Sequence, residues 1–448
     1  MAHINDHPTV KAVRAQQANL TESTENSSQL DGTILRQLCL DCGADDAGFV
    51  SLSRQEIADQ RDDILAVFPS TRTLISLVFR ENREPIRSPA GSVSNLEFHH
   101  VTDHANIVAR QIVAQLEQQG IRAMNPAAGF PMEMDRYPGK IWVVSHKPVA
   151  EAAGMGKMGI HRNVIHPKFG SFIILDTILI GADVSDESQP IDYNPCVECK
   201  LCVAACPVGA IAPDGHFDAF ACATHNYREF MGGFTDWVTQ IADSKDASDY
   251  RRRVTDSETA SHWQSLGFGP NYKSAYCLAV CPAGEDVIGP FLQNKAGFLQ
   301  EIVKPLQDKI EPVYVIAGSD AEAHVQKRFP HKRPRRISNG VRTRSIAAFL
   351  WALPIAFQRG QSKGLDATYH FTFTGDEERK ATVIISDQKI QVRDGHHGKA
   401  NLHITADSQT WLHFLWKEQI LLSALLLRKV RLQGSPRLLQ AFGRCFPS

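Results

Sequence analysis

Four cysteines stand at spacings of two, two and three residues in Cys196-Val-Glu-Cys199-Lys-Leu-Cys202-Val-Ala-Ala-Cys206, and Pro207 closes the run. A fold that contains this segment has to wrap it around something that accepts soft sulfur ligands, because a Cys-x-x-Cys-x-x-Cys loop carries three thiolates to one place. The spacing and the Cys-Pro ending form an iron–sulfur pattern, in which the fourth cysteine points away and serves a second cluster where two are present. The proline fixes the backbone as the chain leaves the cage. A zinc ribbon or a buried set of cysteines is the bland alternative, and the Cys-Pro ending disfavours it.

Further ligands lie downstream at Cys222, Cys277 and Cys281, the last followed by Pro282. By the crossed rule Cys281 completes the cluster of Cys196, Cys199 and Cys202, which is expected to be 4Fe-4S. Cys206, Cys222 and Cys277 then hold a second cluster. Its motif, Cys-x-x-Cys-x-x-x-Cys-Pro, has Ser274 at the first position. The second cluster is therefore expected to be 3Fe-4S, or 4Fe-4S capped by a ligand such as Ser274, Tyr272 or His225. An open corner could also bind substrate.

The chain has 448 residues, 43% apolar and 22% charged, which suits about three ordinary soluble domains. Its formal net charge of −1 argues against a dedicated nucleic-acid surface, so no nucleic-acid partner is expected. Seven of the ten cysteines have cluster roles, and Cys39, Cys42 and Cys445 read as free thiols in a reducing compartment. No secretory pattern and no apolar run of about eighteen residues is visible, so a cytoplasmic protein without a membrane span is expected.

Residues 1–33 are polar and read as a disordered tail. Residues 34–190 alternate helix-like and strand-like patterns, with strands expected at Thr73–Phe79, Ile141–Val144 and Phe172–Ile180 and a helix from Ala105 to Gln119. Residues 191–300 form the iron–sulfur module. Residues 301–343 contain the basic, proline-punctuated stretch Gln326–Arg336 and read as a linker, or as a dock for an acidic electron donor. From 344 to 448, short strands followed by helices predict an antiparallel sheet covered by helices.

Glycine-containing turns in Ala152-Ala-Gly154-Met-Gly156-Lys-Met-Gly159 suit backbone lying close to a large flat ligand, or simply tight turns. Together with His166-Pro-Lys-Phe169-Gly170-Ser171 and the ferredoxin-type cysteines, this segment resembles the reductive dehalogenase and epoxyqueuosine reductase superfamily over residues 34 to 300. The resemblance implies a nitroreductase-like core that binds cobalamin and is fed by two clusters. Carried over, Gly154, Gly156, Gly159, His166, Phe169, Gly170 and Ser171 would line the corrinoid pocket. Tyr137, His146 and Lys147 are the candidate proton donors nearby in sequence. The chain departs from the epoxyqueuosine reductases at Ser145, where they carry an acid, and at Ser274.

Residues 344–448 resemble the sterol-carrier-protein family through Phe371–Gly375, Asp387–Gly395, Leu402–Asp407 and Arg428–Gly434. That likeness implies an apolar tunnel lined by Trp411, Phe414, Leu415, Leu421, Leu422, Leu425 and Leu426, or else a filled core. The expected fold is α+β multidomain: a nitroreductase-like α/β core, a double-cluster ferredoxin module and a sterol-carrier-like α+β domain. The expected function is reduction of an organic, lipophilic substrate through a corrinoid, with a ferredoxin or flavodoxin-like donor and a small-molecule or lipid-like substrate as partners. The alternatives are a cobalamin-free electron-transfer or lipid-binding adaptor, and a flavin-dependent reductase.

Overall fold

The structure, a computed structural model, describes residues 4–20, 29–134, 140–338 and 342–447. Within the stretch expected to be a disordered tail, α1 (Pro8–Leu20) is helical. Its three alanines and two glutamines favour a helix, and proline at the first position is compatible with one.

A four-stranded antiparallel sheet organises the N-terminal part. The elements are α2 (Gly32–Cys42), β1 (Asp46–Ser51), β2 (Thr73–Arg80), α3 (Gly91–Gln118), β3 (Ala123–Met124), α4 (His146–Ala152), the hairpin β4 (Lys157–Met158) and β5 (Val164–Ile165), and β6 (Ile173–Ile180). The sheet order is β1-β2-β6-β3, with Ile75 paired to Ile178 at its centre. Helices cover both faces, which is why β2 buries every residue from Thr73 to Phe79 instead of alternating. Cys39, Ala105, Val108 and Ile112 fill one side, while Val149, Ala150 and Ala152 of α4 fill the other. Ile141–Val144 is not a strand. The β6 edge it would have needed is taken by β3, and Ile141 and Val144 are buried as loop residues.

The cysteine-rich segment contributes α5 (Leu201–Ala205), α6 (Ala219–His225) and α7 (Tyr276–Ala279). Between α6 and α7 lies a helical insertion tied together by fully buried Arg228, whose Nη2 meets Asp236 at 2.9 Å and Glu258 at 3.0 Å. The basic stretch is folded rather than a linker. β7 (Pro312–Ile316), α8 (Asp320–Arg328) and β8 (Arg333–Ile337) make a parallel βαβ unit. Lys332 is buried there with its Nζ donating to Leu306 O, Lys309 O and Glu311 Oε1 at 3.1, 2.8 and 2.8 Å. Arg335 and Arg336 pair with Glu258 and Glu322.

The C-terminal part comprises α9 (Ile346–Ala356), β9 (Ala367–Thr374), β10 (Arg379–Ser386), β11 (Lys389–Asp394), β12 (Leu402–Asp407), α10 (Ser408–Leu415), α11 (Leu421–Leu426), β13 (Val430–Gly434) and α12 (Pro436–Arg444). Its sheet runs β11-β10-β9-β12-β13 and is mixed rather than purely antiparallel, since β9 and β12 are parallel. Phe349, Phe371, Phe373 and Trp411 meet edge to face in the core beneath it. Leu422 and Leu426, expected to face an apolar tunnel, are 65% and 76% exposed. They sit on the outer side of α11, whose buried contact is made by Ala424. Among the described residues no helix is long and apolar enough to cross a membrane.

Candidate functional site

Local sequence bends the cysteine loop. Glu198 and Lys200 adopt left-handed backbone (φ 47° and 62°), the conformation needed for the chain to curl between Cys196 and Cys202. The cysteines then fall into two neighbourhoods. Burial raises the pKa of Cys281 to about 11, and Cys199 and Cys196 add repulsion. Burial raises Cys222 well above its ordinary value, with Cys277 and Cys206 adding to it. Cys277 goes to about 12, again through burial first and Cys206 second. Cys202, raised by burial, feels both Cys277 and Cys281 and so stands between the neighbourhoods.

Thiols this buried and mutually repelling lose their protons together only when cationic metal lies among them. Backbone amides already aim at the sulfurs. Ala210 N–H reaches Cys206 Sγ at 3.3 Å, and the amides of Val208, Gly209 and Ile211 also lower that thiol. Such N–H···S contacts stabilise thiolate ligands. The donor set therefore fits iron–sulfur chemistry.

The position that lacks a cysteine is structurally intact. Ser274 is buried, three residues before Cys277, and its N–H donates to Asn226 Oδ1 at 2.8 Å. The other two capping candidates are drawn elsewhere. Tyr272 stacks on Phe230 and meets Phe98 and Tyr227 edge to face. His225 Nδ1 accepts from Tyr314 N–H, and burial among Lys273, Lys332 and Arg228 pushes its pKa down to about 3.

The glycine segment does not form a corrinoid cradle in this arrangement. Gly170 (φ 68°) needs to be glycine because a Cβ would lie 2.0 Å from Ala283 O, beside Cys281. Gly154 (φ 74°) is closed by Gln189 O at 2.4 Å, and Gly156 and Gly159 by Ile165. These glycines let the chain approach itself. His166 Nε2 bonds Asp46 Oδ2 at 3.0 Å while its Nδ1 accepts from the amides of Lys168 and Phe169. Phe169 stacks on His166, and Ser171 is fully buried with Oγ toward Leu278 O. Of two cavities among the described residues, one beside Phe98 and Tyr272 and one beside Arg228 and Trp237, neither is lined by any of these seven residues. No chemical step is derived through a corrinoid.

Of the candidate proton donors, Tyr137 lies outside the described residues. His146 is a structural histidine: Nδ1 meets Thr177 Oγ1 at 2.9 Å, Nε2 meets Ala127 O at 3.2 Å, and burial pushes it down to about 4. Lys147 points toward the second cysteine neighbourhood, with Nζ on Arg162 O (2.7 Å) and Asn163 Oδ1 (3.0 Å). Residue-by-residue reading of the sequence missed Glu81. Both its carboxylate oxygens are buried without a hydrogen-bond partner. Burial and nearby Glu97 push it up to about 8, so it is mostly protonated at neutral pH. Tyr272 feels Glu81, and Tyr227 feels Tyr272, Cys222 and Cys277, so a buried acid and two phenols lead from the cysteines into the N-terminal sheet. The only local signal was an acidic residue directly after the last residue of β2, Arg80.

The SCP-2 sterol transfer family model matches residues 356–447, and a 4Fe-4S binding domain model matches residues 190–212. Epoxyqueuosine reductase from Gloeobacter violaceus is 26% identical over 180 residues, covering 40% of this chain and 54% of that protein. The Vibrio cholerae epoxyqueuosine reductase is 30% identical over 92 residues, 20% of this chain and 24% of that protein. The chain thus spans about half or less of the curated relatives it matches. Among solved structures, epoxyqueuosine reductase from Streptococcus thermophilus matches at 15% identity and TM-score 0.35, over 61% of this chain and 75% of that one. The catabolic reductive dehalogenase NpRdhA matches at 14% identity and TM-score 0.37, over 68% and 39%.

One expectation is overturned. A further match is an epoxyqueuosine reductase with a tRNA-Tyr epoxyqueuosine-modified stem loop, 16% identical, with TM-score 0.32 and covering 43% of this chain and 56% of that chain. With epoxyqueuosine reductases among the curated relatives, neither the exclusion of a nucleic-acid partner nor the assignment of a small-molecule or lipid-like substrate stands. The physical reason is that a net charge is a global sum. It says nothing about the charge of any one face. The chain is thus an α+β multidomain protein that resembles the epoxyqueuosine reductases over part of its length, with a 4Fe-4S-type segment at residues 190–212 and a sterol-carrier-type segment at residues 356–447.

Proposed function

We propose that this chain is an iron–sulfur reductase in which Cys196, Cys199, Cys202 and Cys281 hold one cluster and Cys206, Cys222 and Cys277 hold the other. The Cys-x-x-Cys-x-x-Cys-x-x-x-Cys-Pro run supports the reading, together with the packing of Cys202, Cys206, Cys222 and Cys277 in one cluster, of Cys196 with Cys281 in another, and the Ala210 amide on Cys206 Sγ. Electrons pass from one cluster to the other and leave toward the N-terminal sheet. There Glu81, held protonated by burial, supplies the proton that accompanies reduction of the acceptor. The relatives make an oxidoreductase the favoured class.

Anaerobic purification followed by iron, sulfide, cobalt and flavin analysis tests this. The reading expects about seven or eight irons per chain. About four irons, or none, would overturn the two-cluster assignment. Cobalt near one per chain would show that the glycine segment opens to admit a corrinoid and would refute the closed arrangement described above. Flavin near one per chain would identify a different terminal acceptor.

A further inference from the structure

The second neighbourhood is one thiolate short, and the N-terminal part of the chain reaches into it. Lys147 at the start of α4 donates Nζ to Asn163 Oδ1 at 3.0 Å, and Asn163 Nδ2 reaches Cys277 Sγ at 3.9 Å. The other acceptor of Nζ is Arg162 O, so both partners hold this nitrogen as a donor. Arg162 and Asn163 belong to the turn between β4 and β5. Ile160 of the same turn packs against the buried cluster that contains Cys202 and Cys206, which Cys222 and Cys277 also join. The arrangement is built: a cation, an amide and a sulfur in line, carried by two elements of the N-terminal part.

Resting on the two-cluster reading above, we propose that Lys147 and Asn163 set the reduction potential of the cluster held by Cys206, Cys222 and Cys277, and that this cluster is the electron-accepting member of the pair. Two physical effects act together. A 4Fe-4S cluster with three thiolates and a neutral fourth ligand carries one negative charge less than one with four thiolates, so adding an electron to it costs less. A nearby ammonium and an N–H···S contact favour the reduced, more negative state further. Cations alone do not separate the clusters, since Arg87 lies near Cys281 and Lys295 near Cys199. The missing thiolate at Ser274 sets the order, and Lys147 with Asn163 reinforces it.

Each transfer moves one electron. A low-potential one-electron donor protein reduces the four-thiolate cluster, which is then reoxidised as the three-thiolate cluster is reduced. The first cluster is the one near solvent: Val197 and Tyr193 beside it are 45% and 51% exposed. The second lies against Lys147, Tyr227 and the N-terminal sheet, where electrons leave.

An EPR-monitored redox titration of the full chain, purified anaerobically, tests the proposal. Iron content and two resolvable midpoints in the wild type first establish that two clusters are present. Their absence would overturn the functional reading itself. With two midpoints, Lys147→Met and Asn163→Leu each shift the higher one downward and leave the lower one in place. Lys147→Arg restores most of the shift, which a purely structural role would not produce. Ser274→Cys, which adds a thiolate without touching Lys147, lowers the same midpoint and keeps the test alive if the other variants lose iron. Movement of the lower midpoint instead, or of neither in any variant, overturns the proposal.

Discussion

Replacing Glu81 by glutamine removes an acid that the fold keeps protonated. Burial, with repulsion from Glu97, raises this carboxyl from 4.5 to about 8. Between those values the folded chain holds a proton that the unfolded chain has released, so stability falls as pH rises through the window. At about 1.4 kcal/mol per pH unit, the full window is worth roughly 5 kcal/mol at pH 8, and little of it is felt at pH 5. Glutamine keeps the shape and, like the protonated carboxyl, leaves its polar atoms buried without partners, so that penalty is common to both proteins. Glu81→Gln is therefore expected to match the wild type closely at pH 5 and to be more stable at pH 8. Asp176, raised by burial to about 8, is present in both proteins and cancels in the difference. Anaerobic urea denaturation followed by tryptophan fluorescence at pH 5, 6, 7 and 8 reads this directly. Parallel pH profiles for the two proteins would refute the claim that Glu81 is buried and protonated.

Gly170→Ala should lose about 1–3 kcal/mol and lower iron occupancy on the Cys281 side, because the added Cβ strikes Ala283 O; thermal melts and iron analysis check it. Lys332→Ala should cost about 3–5 kcal/mol by removing the fully buried cation beside Glu311, which keeps only Lys309 and Tyr276, and the double variant with Glu311→Ala should cost less than the single one in the same melts. Trp411→Ala should destabilise the C-terminal sheet by about 3–5 kcal/mol, read as a lowered unfolding midpoint with unchanged iron content.

Much of this could be read locally. The spacing from Cys196 to Cys206, the pairing of Cys281 with Pro282 and the vacancy at Ser274 are properties of a few consecutive residues. The strands around Thr73, Ile173 and Phe371 announced themselves through apolar runs or alternation. What escaped depends on contacts between distant segments. Gly154 and Gly170 look like ligand-binding glycines until Gln189 O and Ala283 O arrive against them. Lys332, Arg335 and Arg336 look like a solvated basic run until Glu311, Glu258 and Glu322 pair with them. Glu81 becomes an unusual acid only when the sheet is covered, and Lys147 reaches Cys277 only through a turn sixteen residues away. Nothing in a linear pattern encodes such burial, and the mixed pairing of β9 with β12 is invisible for the same reason.

The central claim is that seven cysteines divide four and three between two clusters, and selective removal of each set tests it most directly. Mössbauer spectra of iron-57-enriched wild type, Cys199→Ser and Cys277→Ser would be compared under anaerobic conditions. The account predicts two spectral components in the wild type, with Cys277→Ser depleting the component assigned to Cys206, Cys222 and Cys277, and Cys199→Ser depleting the other. A single component in the wild type, or both variants depleting the same one, would contradict it.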